Sequence, residues 1–268
     1  MTYASTILAD SPFGYWQLND VGTTAVDSSG HGNTGTLSGT VATGVAGPSA
    51  QIPTAMNFNG GTVTIPASAS LTNTVGSVEA WINQTTNNAQ GHVVFGSQGE
   101  WTLQTNGQFV NAVWFINGGN VITPGSGIAP LGTWYYVAST YQGSAVLLYV
   151  NGIQVASVPA VGTDATTQQQ TWIATAFGSI APFLGSIAQV AYYPTVLSLA
   201  QIQAHYAAGG FQVPSTSATD LWRQEYGANQ GNYDITRYSD VFREIQGPNQ
   251  PTDDSWKIRL RQRAQRFF

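Results

Sequence analysis

The 268-residue sequence predicts an all-β protein built as an antiparallel sandwich. Short runs of alternating or apolar β-branched and aromatic residues recur between Gly and Asn turns, as in "SVEAWI", "TWYYVASTY" and "AVLLYVNGIQVASV". Evenly spaced short strands of this kind are typical of a two-sheet fold. The pair Asn151-Gly152 stands between two such runs, and it predicts a type I′ hairpin because both central residues of that turn need positive φ.

One segment, "VLSLAQIQAHYAAGG", breaks the strand pattern and predicts a short helix. Ser198 can cap its first turn with Gln201 three residues later, and Leu197 can pack on Ile202 as a hydrophobic staple. Gly209 is expected to supply the left-handed residue that ends the helix.

The predicted helix has an apolar stripe that should pack on the sandwich. Leu199, Ile202 and Tyr206 fall on this stripe. His205 lies beside it, which favours a surface or packing role over a role as a ligand.

Charge divides the chain into two regions. All eight Lys and Arg residues lie between Arg223 and Arg266, whereas residues 1–218 hold six acids and no Lys or Arg. We therefore predict a domain over 1–212 and, over 213–268, a linker and a charged C-terminal anchoring arm. A body without fixed cations cannot clamp phosphates, so nucleic acid is not expected as a partner.

Five cations fall within ten residues near the end of the arm, and three apolar residues alternate with the first three of them. This pattern favours strand addition to a partner, with the arginines pairing to its acids, and a solvated end is the alternative. The predicted partner-binding residues are Trp256, Lys257, Ile258, Arg259, Leu260, Arg261, Arg263 and Arg266.

The stretch "DSSGHGNTGTLSG" has glycines at the spacing of a dinucleotide-binding fingerprint. That motif requires a preceding strand and a following helix, and neither flank predicts one. Asp27 and Asn33 could instead contribute oxygen ligands to calcium. The simpler interpretation is an Asx-turn closed by Asp27, which needs no ion.

Catalysis has little support in the sequence. Glycoside hydrolysis needs two positioned carboxylates, and no strand of the body carries a close pair. Glu79 shares a strand face with Trp81, but a single buried acid has no obvious partner, so a structural role is expected. The aromatic content of 12% suits sugar binding, although Trp16, Trp134 and Tyr149 sit in strand-like runs and should be core.

Five segments in order resemble the laminin-G-like domain of the concanavalin A-like lectin/glucanase superfamily: "ILADSPFGYWQLNDVGTTAVDSSGHGNTGTLSG", "AMNFNGGTVTIP", "SVEAWI", "GTWYYVASTYQGSAVLLYVNG" and "GSIAQVAYYPTVLSLAQIQAHYAAG". The resemblance covers about residues 3–212 and implies a two-sheet jelly roll with a short helix near its end. It also implies a binding module, one calcium ion and Asp27 as its best ligand. Where the family has an Asp-Glu pair this chain has Ala188-Gln189, which weakens the calcium interpretation.

Together these observations predict a non-enzymatic phage structural protein on the virion surface. The start "MTYASTILADSPFGYW" lacks a basic region and an apolar core, and no run could span a membrane, so particle assembly is the expected route outward. The jelly roll would bind a glycan or protein on the host surface, as part of a tail-associated protein of the minor tail type. The arm would bind other virion proteins, and the protein is expected to form a homo-oligomer. The alternatives are a capsid decoration protein and a secreted bacterial adhesion or carbohydrate-binding module.

Overall fold

The computed structural model describes residues 2–72, 74–86, 92–97, 100–107, 109–127, 130–163, 170–175 and 181–213. These residues form two antiparallel sheets of eight and nine strands that pack face to face as a jelly-roll-like sandwich. The predicted all-β fold class is confirmed.

The elements follow one another along the chain with short connections. The first half contains α1 (Tyr3–Ala9), β1 (Gly14–Trp16), β2 (Thr24–Ala25), β3 (Gly35–Ser38), β4 (Val41–Ser49), β5 (Ile52–Asn59), β6 (Thr62–Ile65), a 3₁₀ turn (Ala69–Leu71), β7 (Gly76–Gln84) and β8 (His92–Ser97). The second half contains β9 (Trp101–Asn106), β10 (Phe109–Ile116), β11 (Gly119–Ile122), β12 (Ser126–Gly127), β13 (Tyr135–Tyr141), β14 (Ala145–Val150), β15 (Ile153–Pro159), β16 (Thr171–Ile173), β17 (Leu184–Tyr193) and α2 (Leu199–Ala208).

The first sheet has the strand order β15-β14-β13-β7-β17-β5-β4, and β1 pairs with the far half of β17. The second sheet has the order β11-β10-β9-β8-β16-β6-β3-β2, and β12 pairs with the start of β10. The main core lies between the two sheets, where alternate side chains of both meet.

The outer face of the first sheet is covered by both helices. Ile7 of α1 and Ile202 of α2 are fully buried there, in a second apolar cluster that includes Trp81 of β7 and Tyr136 of β13. The sandwich therefore has a third layer on one side. Among the described residues, neither helix is long and apolar enough to cross a membrane.

Helix α2 begins as the sequence predicts and ends one residue later than expected. Ser198 and Gln201 form a complete capping box, with the Gln201 backbone N–H donating to Ser198 Oγ at 3.3 Å. Gly209 has right-handed φ of −68°, and Gly210 takes the left-handed conformation at 89°. Leu199 is 41% exposed, so it lies outside the buried stripe.

Helix α1 was not predicted, so the described residues contain two α-helices where the sequence predicts one. Thr2 caps it by accepting from the Ser5 backbone N–H, and Tyr3 and Ile7 bury one face. Its seven residues are too few for a clear helical period, and much of its stability comes from packing on the sheet.

The Asn151-Gly152 hairpin is confirmed, with φ of 51° and 78° at its two central residues. The pair Asn117-Gly118 adopts the same conformation between β10 and β11.

The predicted arm, including Trp256, Lys257, Ile258, Arg259, Leu260, Arg261, Arg263 and Arg266, lies outside the described residues. Its extension, its partner contacts and the boundary at 212 stay predictions.

Candidate functional site

The loop that begins at Asp27 is organised by its own carboxylate. Asp27 Oδ1 accepts from the backbone N–H groups of Tyr15 and Ser29, each at 2.9 Å, and Oδ2 accepts from the Asn33 N–H at 2.8 Å. The bond from Ser29 closes an Asx-turn, as the simpler interpretation of the sequence proposes. The carboxylate ties the loop to strand β1.

Asn33 completes the attachment of this loop. Its side-chain amide donates to the Phe13 carbonyl at 2.7 Å and to Ser70 Oγ at 2.9 Å. Its own carbonyl accepts from Trp16 Nε1 at 2.8 Å. Asp27 and Asn33, the two residues predicted as metal ligands, are thus brought together as parts of one turn.

The surroundings of Asp27 do not fit calcium well. Calcium takes about 6–8 oxygen ligands, whereas the groups that contact the Asp27 carboxylate are N–H donors. Within the described ranges, no three His, Cys, Asp or Glu side chains group as a possible metal site. No residue of the loop is therefore assigned to a metal, and the calcium ion stays a prediction of the family resemblance.

Gln189, which belongs to the Ala188-Gln189 pair that replaces the family's Asp-Glu pair, connects this loop to the first sheet. Gln189 lies at a bulge of β17 with a positive φ of 56°. Its Oε1 accepts from the Tyr15 hydroxyl, and its backbone N–H donates to the Gln17 carbonyl at 3.2 Å. Gln189 thus attaches β1 to β17. Through Tyr15, whose backbone N–H donates to Asp27, it is also connected to the loop, and the side chain that makes this attachment is a neutral amide.

A chain of charged groups is buried between the first sheet and the helices. His205 Nδ1 lies 2.9 Å from Glu79 Oε2, and its Nε2 lies 2.8 Å from Asp10 Oδ2. The hydroxyls of Tyr136 and Tyr193 both donate to Glu79, the second at 2.9 Å. One imidazole therefore joins α1, α2 and β7.

Electrostatics explains why these charges can be buried. Burial lowers the pKa of His205, but Glu79 and Asp10 outweigh it and raise that pKa to about 9. Burial first, and then the Glu79 charge, raises the pKa of Tyr136 and Tyr193, so both stay protonated and donate. The cluster holds one imidazolium between two carboxylates.

This cluster corrects the expectation that Glu79 has no partner. The side chains of Glu79 and His205 are fully buried, so neither can reach a substrate in this conformation. The structural role expected for Glu79 agrees with that burial. His205 packs inside the protein and is not a surface residue, and no local pattern could reveal its partner because Glu79 lies 126 positions away.

The outer face of the second sheet differs because no helix lies on it in the described part of the chain. On β10, Val110, Ala112 and Trp114 enter the main core. Successive strand residues point to opposite faces, so the alternate residues of β10 point outward. These are Phe109, Asn111, Val113 and Phe115.

Phe109 is the most exposed of the aromatic side chains that the structure describes, at 49%. Trp16, Trp81 and Tyr149 are buried as the sequence predicts, and Trp134 packs against the second apolar cluster. Phe109 therefore differs from these core aromatics, because about half of the residue is exposed to solvent. Exposed aromatic rings can bind the apolar faces of ligands.

Amide side chains stand beside this ring. Asn111 follows two residues later on the same face, and the pairing of β9 with β10 places Gln104 directly opposite it. Asn111 Oδ1 is shielded from solvent and accepts no hydrogen bond from any described residue. A desolvated acceptor without a donor is costly, and in this conformation the atom is as inaccessible to a ligand as it is to water.

Two neighbours lie along the edge of β10 that is opposite β9. Gly125 lies against Phe109, because a Cβ at Gly125 would stand 2.8 Å from the Phe109 Cβ. Farther along the same edge, Ile122 of β11 pairs with Val113 and is 51% exposed. We call the outward side chains of β9, β10 and β11, with Gly125, the open face.

A family model described as the concanavalin A-like lectin/glucanases superfamily, of the Laminin_G_3 type, matches residues 57–203, which is more than half of the chain. The chain belongs to this family. A comparison with curated proteins gave no match.

Solved structures with the same fold come from several binding proteins. The receptor binding domain of botulinum neurotoxin mosaic serotype C/D is 17% identical over 75% of this chain and 51% of its own, with a TM-score of 0.62. Domain 4 of an extracellular arabinanase from Geobacillus stearothermophilus, solved with arabinotriose, is 18% identical over 73% and 98%, with a TM-score of 0.56. The binding domain of Paraclostridial Mosquitocidal Protein 1 is 12% identical over 74% and 52%, with a TM-score of 0.60. The chain spans about half the length of the two toxin chains, and these similarities establish the fold.

Sequence reasoning missed the open face. The segment "NGQFVNAVWFING" has the β-branched and aromatic content of a strand, but it does not show which alternate set of residues faces outward. The polar residue Asn111 among apolar residues was the available signal, because an amide in a strand usually marks the solvent side.

Proposed function

We propose that the jelly roll is a non-catalytic module that recognises a glycan on a cell surface through the open face. The observation that carries the proposal is the half-exposed Phe109 with the neutral amide side chains of Asn111 and Gln104 beside it. Sugars offer an apolar face for stacking and hydroxyl groups that donate hydrogen bonds. Both requirements are met within one strand.

The relatives support this class of ligand. The neurotoxin structures are of receptor binding domains, one of them in work on entry through two ganglioside molecules. The arabinanase domain was solved with arabinotriose. The shared fold is therefore used for carbohydrate recognition in proteins that differ widely from this chain in sequence.

The positions of the acids support a binding role over hydrolysis. A glycosidase needs two carboxylates roughly 5–10 Å apart around an open site. Glu79 and Glu100 are fully buried, and the Asp27 carboxylate is held by three backbone N–H groups. The open face, as far as it is described, carries no carboxylate.

We further propose that this module belongs to a phage virion surface protein of the minor tail type. The division of charge along the sequence supports it, because a cation-free body suits exposure and a separate basic segment suits attachment to neighbouring virion proteins. A capsid decoration protein fits the same division. The C-terminal arm, through the segment near its end that contains Trp256 and Arg259, would be the attachment, and self-association into a homo-oligomer would raise avidity for a surface glycan.

A glycan array probed with the full-length protein tests the binding role. Wild type and Phe109→Ala are compared, with Val155→Ala as the control, since Val155 is an exposed apolar residue on β15 of the other sheet. We expect wild type and Val155→Ala to bind the same glycans and Phe109→Ala to lose them. Equal binding by all three proteins, or none by wild type, contradicts the proposal.

Attachment is tested separately by removing the arm. A chain truncated before Pro214 should leave glycan recognition intact and fail to join virus particles, as measured by its co-sedimentation with them. Normal incorporation of the truncated chain would show that the arm is not the anchor.

A further inference from the structure

The open face is elongated along β10. Phe109 and Phe115 stand at its two ends on the same side of the strand. They are six residues apart, which corresponds to about 20 Å at the rise of an extended strand. The face can therefore contact several units of an extended chain, and a single sugar would touch only one end.

Hydrogen-bonding groups fill the space between and beside the two rings. Gln104 stands opposite Asn111, Thr102 stands opposite Val113, and Asn120 stands opposite Phe115. All are neutral amides or hydroxyls, which can both donate and accept. Along β10 itself, Asn111 and the buried Val113 lie between the two rings.

The charge of the body restricts the ligand further. Residues 1–222 contain no Lys or Arg, so this region has no fixed cation to pair with a carboxylate or a sulfate. His205, whose charge the cluster maintains, is buried on the opposite side of the sandwich. Seven acids in the same region add a negative potential that disfavours anions.

From these three observations we infer that the open face binds an uncharged, extended glycan chain lying along β10 and rejects glycans that carry sialic acid or other anionic groups. This inference rests on the proposed glycan-binding function and names its ligand class. It separates the protein from its neurotoxin relatives, one of which was solved in complex with a sialylated ligand.

Calorimetry with the full-length protein tests chain length. The probes are disaccharides, tetrasaccharides and octasaccharides of neutral gluco-, galacto- and arabino-series. We expect affinity to rise with length in the series that binds. Phe115→Ala should lower the affinity for the octasaccharide about tenfold and leave the affinity for the disaccharide unchanged. Phe109→Ala should lower the affinity for oligosaccharides of every length. Val155→Ala is the control.

Charge discrimination is tested with matched probes in low salt. Each neutral oligosaccharide that binds is compared with the same compound capped by sialic acid, and we expect the cap to abolish binding. Gln104→Arg should restore it in part, because a guanidinium on this face can form a charge-assisted pair with the sialic acid carboxylate. Gln104→Leu, which adds no cation, should not.

The outcomes separate the two proposals. Binding of neutral glycans that does not depend on length, or equal binding of capped and uncapped probes, overturns this inference and leaves the glycan-binding function standing. If no glycan binds, neutral or acidic, both the glycan-binding function and this inference are overturned. An affinity that rises with length, falls selectively in Phe115→Ala and disappears on capping supports both.

Discussion

The outer faces of the two sheets treat polar groups in opposite ways. On the first sheet, helices α1 and α2 bury Glu79, and two tyrosine hydroxyls and His205 satisfy its carboxylate. On the second sheet, Asn111 presents an amide oxygen that has no partner among the described residues. The charged cluster under the helices is satisfied within the protein, and the Asn111 oxygen is not.

An unpaired polar group costs a different amount on the two faces. A buried charge must be paired within the protein, because an unpaired one would cost several kcal/mol, about 3–5 when one partner is removed. A neutral amide in a strand costs less when unpaired, about 1–3 kcal/mol. Mutations on the covered face should therefore act on stability, and mutations on the open face should act on the binding proposed above.

The largest expected effect is on the covered face. Glu79→Ala leaves the buried His205 without one of its two carboxylate partners and the hydroxyls of Tyr136 and Tyr193 without their acceptor, so the free energy of unfolding should fall by about 3–5 kcal/mol. Urea denaturation measures this. Glu79→Gln keeps the volume and loses only the charge, so it separates the charge from the packing. A loss below about 0.5 kcal/mol, the range of ordinary surface substitutions, would contradict the role assigned to the cluster.

The same cluster should make stability depend on pH. The pKa of His205 is raised from 6.5 to about 9 in the folded protein, so its contribution is complete below pH 6.5 and is lost as the pH rises towards 9. The expected loss over this window is about 3 kcal/mol in the free energy of unfolding. His205→Gln should flatten the curve. A wild-type protein equally stable at both ends of the window would exclude a charged His205.

The Asp27 loop should show an intermediate effect. Asp27→Ala removes the acceptor of three backbone N–H groups and should lower the free energy of unfolding by about 1–3 kcal/mol. Thermal unfolding of wild type with calcium and with a chelator tests the ion separately. We expect the same midpoint in both, because the groups facing Asp27 are donors. A midpoint that rises with calcium in wild type and not in Asp27→Ala would establish the calcium site.

The smallest effect on stability is expected on the open face. Asn111→Val removes an unsatisfied acceptor and adds a residue that favours strands, so the free energy of unfolding should stay within about 1 kcal/mol of wild type. Glycan binding should nevertheless fall in the same variant. Chemical denaturation and calorimetry on one preparation provide both measurements. A destabilisation as large as that of Glu79→Ala would remove the distinction between the two faces.

Much of the fold was predictable because its determinants are local. Alternation with period two marks strands, and Asn151-Gly152 and Ser198 with Gln201 define a turn and a helix start by contacts within a few residues. Helix α1 was missed for the opposite reason. Its short sequence carries no clear period, and Tyr3 and Ile7 are ordered by a sheet formed later in the chain.

The candidate site was harder to predict because its residues are related by register. Asp27 and Asn33 are close in sequence, so their turn was foreseen. Gln104 and Asn111 become partners only when β9 and β10 pair, and Phe109 is a binding candidate only because nothing among the described residues covers it. An aromatic residue in a strand is equally consistent with the core until its face is known.

The all-β class, the family, the capped helix and a body free of Lys and Arg are all readable from the amino-acid sequence, because composition, short periods and turn residues act over a few positions. The contact of His205 with both Glu79 and Asp10 depends on the tertiary structure, since His205 and Asp10 are 195 positions apart in the sequence. The tertiary structure also decided that one outer face is closed by helices and the other is open. The physical reason is that pairing between distant strands selects which side chains meet, and local preferences do not contain that choice.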